Sequence, residues 1–394
     1  MKLATLAAAI MLCLHADSRP PSRRPEKPPA VKRLDGSTIK AKDIERTVTR
    51  LMAAGRVTGL ALAVLNDGKI AYLNAFGMRD VERKLPLTIN SVMAGASFSK
   101  AVFAYTVMQL VQEGLLDLDR PVTQYLQKPL AEHESYRDLA LDERYKLITA
   151  RMLLSHTSGF PNWRRFNPDK KLDIKAEPGS RYMYSGEGIS LLQMVVRQVS
   201  GKPTRDLIQD RVFGPLHMSR TSMVWQPEWE ADHAIGYDEE GKAVGPPKRE
   251  SADAAGSMAT TVHDFALFLE ALLRGDGLKK AARDKMLAPQ IRIHSKRQFP
   301  TSSTETTKDN DDIRLSYGLG WGLFWTPYGK AYFKEGHDDG WENYSITFDE
   351  KKLAMIIMTN SSNGESIFKE LLATVIRDVY TPWEWENYVP YDQP

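Results

Sequence analysis

Strand-forming sequence stands at both ends of this chain and helical sequence lies between, an order that few folds accommodate. Residues 58–65 and 69–76 are apolar runs rich in β-formers, split by Asn66-Asp67-Gly68. Asn-Gly and Asp-Gly pairs in that setting are the strongest short hairpin signal, so an antiparallel hairpin is predicted. Strand character returns only at 317–325, 331–335, 344–348 and 353–359. Residues 37–54 have helical spacing, with Ile39, Ile44, Val48 and Leu51 on one side and Gly55 as a stop, and 366–380 reads as a closing helix. From Phe98 to about Leu273 the pattern is mostly helical, at 102–113, 150–154, 189–200 and 262–273. The expected class is α/β (α+β): an antiparallel sheet flanked by helices, completed late, with a helical lobe over about 101–275 inserted between its strands. A cleft between the lobes is the natural site, and two polar stretches without periodicity, 132–146 and 294–312, read as surface loops at its rim.

The 394 residues exceed what one ordinary domain needs, so a two-lobed unit or two domains fit equally. A net charge of +3, from 53 basic and 50 acidic side chains, supplies no strong field for nucleic acid or anionic lipid. Lys2, the apolar run 3–14 and Ala16 read as a secretory leader cleaved near residue 16, since about 12 apolar residues fall short of the ~20 that span a bilayer. The mature chain is expected to be exported, periplasmic or secreted, with no membrane span. The only cysteine, Cys13, lies in that leader, and the residues before it, Ile10-Met11-Leu12, lack the small side chains a lipidation site wants. No internal disulfide is then available. Residues 17–35, rich in Pro, Arg and Lys, read as an extended linker, leaving 36–394 as the folded domain.

Ser97-Phe98-Ser99-Lys100 opens an apolar run suited to a buried helix. A serine hydroxyl attacks a carbonyl poorly unless a base takes its proton. On a helix the i,i+3 spacing puts Lys100 on the face of Ser97, and the positive helix end favours a developing anion. The pattern alone is cheap, because Ser37…Lys40 and Ser366…Lys369 repeat it. Tyr184, on a loop after Pro178-Gly179, is a candidate to carry the proton onward as a phenolate, and equally one of 15 tyrosines that pack. His337, after the apolar run 331–333, reads either as a surface turn or as the end of an edge strand lining the cleft. Backbone N–H groups of Ser97 and Gly340 make a plausible oxyanion pair. No His-Glu-x-x-His spacing, cysteine pair or phosphate-cradling loop occurs, so no metal or cofactor is expected. Ser185 has Met183 where a nucleophile elbow needs glycine, which removes the α/β-hydrolase reading.

Taken in order, Leu153-Leu154-Ser155-His156-Thr157-Ser158-Gly159-Phe160, Pro178-Gly179, Tyr182-Met183-Tyr184-Ser185-Gly186, Phe213-Gly214-Pro215-Leu216-His217-Met218 and Ala255-Gly256-Ser257-Met258 resemble the serine β-lactamase and penicillin-binding-protein superfamily. The resemblance runs over about 40–380 and is strongest to the branch of class C β-lactamases, esterases, D-aminopeptidases and DD-carboxypeptidases. It implies a β-lactamase/transpeptidase-like fold, Ser97 as nucleophile, Lys100 and Tyr184 as acid/base pair, and His337 at the start of a third motif that begins with Lys or His. It also implies that His156 belongs to a structural turn. Two positions depart from the pattern and bear on substrate binding: Gly186 replaces a frequent Asn, and Asp339 stands where Gly is frequent. Both weaken a β-lactamase reading. The expectation is an exported hydrolase of a small-molecule or peptide ester or amide, with a class C-like β-lactamase or D-Ala-D-Ala carboxypeptidase, or a non-catalytic penicillin-binding sensor, as the alternatives.

Overall fold

The computed structural model describes residues 30–393. The leader, Cys13 and the linker before Ala30 lie outside the described residues. The last part of the expected linker is folded: Ala30–Lys32 pairs antiparallel with Thr38–Lys40, and Val31, Leu34 and Ile39 are buried. Ile39, read as the first apolar position of a helix, instead faces Val31 across this ladder, a β-branched pair that suits a pleat better than a helix. Helix α1, Ala41–Ala54, begins just after it.

One nine-stranded antiparallel sheet organises the molecule. Its strands are β1 Gly59–Asn66, β2 Lys69–Asp80, β3 Leu85–Pro86, β4 Ile291–Arg292, β5 Ser316–Tyr317, β6 Gly322–Thr326, β7 Gly329–Asp338, β8 Trp341–Phe348 and β9 Leu353–Thr359. Across the sheet the order is β4-β5-β6-β7-β8-β9-β1-β2-β3, so the two chain ends meet where β9 pairs with β1. The β1–β2 hairpin turns through Asp67 and Gly68, both at positive φ as a primed turn requires.

Alternation on β1 divides the core. Leu60, Leu62 and Val64 join the layer under α1 and the closing helix α5, Phe368–Val375, while Ala61, Ala63 and Leu65 face α2, Phe98–Gln112, and α4, Val262–Arg274. The remaining long helix, α3, covers Gly186–Ser200. The single strand read over 317–325 is two strands, β5 and β6, because the chain turns between them; a Cβ on Gly320, at φ +86°, would meet Ala104 Cβ of α2 at 2.4 Å. The stretch 132–146 is a series of 3-10 turns that buries Tyr136, Leu139 and Tyr145, not a solvated loop. Among the described residues no helix is long and apolar enough to cross a membrane.

Candidate active site

Ser97 sits at the N-cap of α2, and everything around it holds that turn. Ala96 is at φ +44°, a conformation an L-residue adopts only under constraint, and the constraint is visible. Ser99 Oγ donates to Ala96 O at 2.6 Å and accepts from Met258 N–H at 3.0 Å, while Asn343 of β8 donates to Ala94 O at 2.9 Å. Gly336 of β7 runs past this turn, and a Cβ there would meet Gly95 O at 2.8 Å. Phe98 through Leu110 are all buried, so α2 is an axial helix with no solvent face to let it shift.

Lys100, one turn into α2, is 1% exposed; its Nζ lies 2.9 Å from Ser97 Oγ and 2.5 Å from Ala255 O. Tyr184, also buried, faces the same pair: Lys100 Nζ is 4.9 Å from its ring centroid. Its hydroxyl lies 3.3 Å from Lys334 Nζ. Burial pushes the Tyr184 hydroxyl up, but the ammonium groups of Lys100 and Lys334, with the Ser97 hydrogen bond, outweigh it and hold the phenol below its ordinary value. Lys334 is fully buried, and its Nζ also reaches Glu335 Oε1 at 3.1 Å.

The segment 155–159 builds the cradle for Tyr184. His156 O accepts Met183 N–H at 2.7 Å, and His156 Nδ1 accepts Ser185 N–H at 3.2 Å. His156 is buried, and burial with the nearby Lys100 and Lys334 keeps its imidazole well below the usual value, hence neutral. Its ring centroid lies 4.3 Å from that of Tyr184. It is a positioning element, as the turn reading implies. The other two Ser-x-x-Lys copies are far from this centre: Ser37 caps its own turn on Asp35, and Ser366 donates to Asn363 O.

The place beside Tyr184 where His337 was expected is held by Lys334. Alternation explains the difference: Lys334 and His337 lie three apart on β7 and face opposite sides. His337 Nδ1 bonds Glu342 and its Nε2 is 4.0 Å from Glu365. Burial pushes its imidazole down, but Glu342 and Glu365 outweigh this and raise it to about 10. The third motif therefore fits Lys334-Glu335-Gly336, with Lys first and Gly third. That spacing stands in the sequence three residues before His337, and with it Asp339 is no departure. Asp339 lies at the β7–β8 turn, outside the cleft lining, whereas Asp338 lines the cleft and pairs with Arg249 at 2.6 Å.

Gly340 is also displaced as an oxyanion donor. It occupies the β7–β8 turn at φ +80°, and its N–H donates to Ser362 Oγ at 3.0 Å. The ladder points to another group. Thr326 and Gly329 close the two-residue β6–β7 hairpin, and pairing ends at Gly322↔Phe333. Gly329, Ala331 and Phe333 direct their backbone groups to β6, so Glu335 and His337, in the same phase, direct theirs past its end. The His337 N–H thus opens on the cleft, and Ser97 N–H makes no hydrogen bond among the described residues.

Ser97, Lys100, Tyr184 and His337 line a cleft of about 910 Å³. Gly186 begins α3, and a Cβ there would meet the Trp163 indole at 2.5 Å, so Trp163 fills the space an asparagine side chain would take. Phe299, from the polar stretch 294–312, also lines the cleft. Among the described residues no group of three His, Cys, Asp or Glu side chains is arranged to hold a metal ion.

A half-buried serine at a helix N-cap, bonded to a lysine one turn on and faced by a tyrosine between two ammonium groups, stands at the centre of the cleft. The chain belongs to the β-lactamase family, whose model matches residues 44–377. It is 24% identical to penicillin-binding protein 4* of Bacillus subtilis, over 90% of this chain and 78% of that one, and 25% identical to a β-lactamase of Escherichia coli, over 75% and 74%. The octameric penicillin-binding protein homologue from Pyrococcus abyssi superposes with a TM-score of 0.69 at 25% identity, covering 87% of this chain and 80% of that one. The D-alanine carboxypeptidase AmpC of Burkholderia cenocepacia shares the fold, with a TM-score of 0.65 at 19% identity, covering 82% and 95%.

Proposed function

We propose that this protein hydrolyses an ester or amide through an acyl-enzyme on Ser97. The observation that carries the reading is the contact of Lys100 Nζ with Ser97 Oγ at 2.9 Å, with the Tyr184 hydroxyl at Lys334. Lys100 and Tyr184, acting as one proton relay, take the Ser97 proton as Oγ attacks the carbonyl. Negative charge on the carbonyl oxygen meets the N–H groups of Ser97 and His337. Tyr184 returns the proton to the leaving oxygen or nitrogen as that bond breaks, and a water deprotonated by the same relay then attacks the acyl carbonyl to free Ser97. A tyrosine held below its ordinary range suits this exchange, because its phenolate forms more readily and can both accept and return the proton.

Ester or amide substrates without a carboxylate fit the cleft better than β-lactam antibiotics do. Trp163 takes the place of a side-chain amide donor, and Glu335, Asp338, Glu342, Glu365 and Glu386 all line the walls. Likeness to the β-lactamase of Escherichia coli supports a class C-like β-lactamase as the second reading. Presence of serine, lysine and tyrosine together argues against a sensor that only binds. The leader over 1–16 supports export of the mature chain.

Intact-mass measurement after a fluorophosphonate probe, with nitrocefin and p-nitrophenyl butyrate turnover on the same batch, tests this. One adduct on Ser97 with ester turnover is expected. Faster nitrocefin turnover transfers the reading to a β-lactamase, and an adduct on Ser97→Ala protein overturns the assignment of the nucleophile.

A further inference from the structure

One end of the cleft carries an acidic cluster that the chemistry at Ser97 does not use. Glu335 of β7, Glu342 of β8, Glu365 before α5 and Glu386 of the C-terminal segment all line it. They come from four separate elements, and the last lies beyond the 44–377 span of the family model. Trp383 and Trp385, both buried, fix that segment: Trp385 lies against Tyr182 and Phe333, and Trp383 against Tyr344. Glu386 is therefore held in the wall by packing.

The cations near these carboxylates do not balance them. Lys334 is shared between Tyr184 and Glu335, His337 serves Glu342 with Glu365 at 4.0 Å, and Arg249 is paired with Asp338. No cationic side chain lies within ion-pair distance of Glu386 among the described residues. Its Oε1 accepts from Tyr344 at 3.0 Å, but its Oε2 is buried without a partner on a side chain only 6% exposed. Glu335 Oε2, on a side chain 2% exposed, is likewise unpartnered, although Oε1 accepts from Gln298 at 2.8 Å. A buried carboxylate oxygen without a donor costs free energy that a bound N–H donor recovers. The like charges are felt: burial, then Glu335 and Glu365, push Glu386 well above the usual carboxylate range. Burial raises Glu365 to about 7, with Glu342 and Glu335 adding to the rise and His337 opposing it.

We propose that this end of the cleft is a subsite for a cationic group, a primary ammonium or guanidinium carried by the ester or amide that Ser97 attacks. The inference rests on the acyl-enzyme reading for the word substrate, while the subsite itself is defined by binding. The ammonium would supply donors to Glu386 Oε2 and Glu335 Oε2 and favour ionisation of the clustered carboxyls, whereas an uncharged hydroxyl isostere brings a single neutral donor and no charge.

The test uses Ser97→Ala protein, which binds without turnover, titrated calorimetrically with benzylammonium and with benzyl alcohol. Benzylammonium is expected to bind about tenfold tighter, an advantage that added salt erodes while leaving benzyl alcohol unchanged. Glu386→Gln and Glu365→Gln, made singly and together, should bring the two ligands level; glutamine keeps an Oε1 acceptor for Tyr344, so the wall is retained. Fluorophosphonate labelling of Ser97 in the same carboxamide variants, with Ser97 intact, reports whether the catalytic centre is still formed. Equal binding of the two ligands, no detectable benzylammonium binding, or a preference that survives the double substitution overturns the subsite. If Ser97 is not labelled in the native chain but the ammonium preference stands, the hydrolase reading fails and the cation subsite holds.

Discussion

At the scale of single residues the site is an arrangement of charges around one phenol. Tyr184→Phe removes only the hydroxyl, and loss of one acid/base group is expected to lower kcat/KM by about 10²–10⁴-fold while the protein stays folded. Full activity would remove Tyr184 from the relay. Lys334→Met takes away one of the two ammonium groups that depress the phenol, so Tyr184 rises toward its ordinary value. The base form is then populated only at higher pH, and the acidic limb of the kcat/KM profile should move upward. An unmoved limb would show that Lys334 does not set the tyrosine. Gly186→Asn, which by sequence alone restores a β-lactam-binding amide, drives its Cβ into Trp163. Overpacking of this kind costs about 1–3 kcal/mol, measurable by urea unfolding, and Trp163→Ala should relieve it.

Among the elements, those whose identity is set locally were legible in the sequence. The β1–β2 hairpin announces itself by Asn66-Asp67-Gly68, and α2, α3, α4 and β9 by apolar runs of the right length. What was not legible depends on distant neighbours. Ile39 belongs to a strand because Val31 is across from it, and 317–325 breaks in two because Gly320 is pressed on α2. His337 and Lys334 both fit a motif that begins with His or Lys, and only the pleat of β7 shows which side chain meets Tyr184. Gly340 looked free until Ser362, distant in sequence, occupied its N–H. The C-terminal segment gave no periodic signal, yet Trp385 is 1% exposed. Trp385→Ala should cost about 3–5 kcal/mol by denaturant unfolding, as emptied aromatic sites do, and should also release Glu386 from the cleft wall. A loss below 1 kcal/mol on that scale would mean the segment is not anchored by this ring.

Over the molecule as a whole, a chain of near-neutral net charge concentrates acid at one end of its cleft, and stability then follows pH through His337. Its imidazole titrates at about 10 in the fold against 6.5 ordinarily, because Glu342 and Glu365 outweigh the opposing effect of burial. A folded value above the unfolded one means the contribution is complete below pH 6.5 and is lost as pH rises toward 10. The stability difference between the native protein and His337→Gln should therefore shrink across that window in urea titrations. A constant difference would show that the pairing does not change on folding.

The pairing of β9 with β1 has a consequence in time. Met355 must meet Val64 before the sheet is continuous, and nearly the whole domain lies between them along the chain. Long-range closures are slow, because loop entropy is lost before the contacts that offset it exist. Ser97, Tyr184 and Lys334 all lie on the loop that this closure spans, and Lys334 reaches Tyr184 from β7, joined through β8 to the closing strand β9. Helical signal should thus return early on refolding from urea, while labelling of Ser97 should lag until the last strand has docked, making the reactive serine a clock for the completed fold.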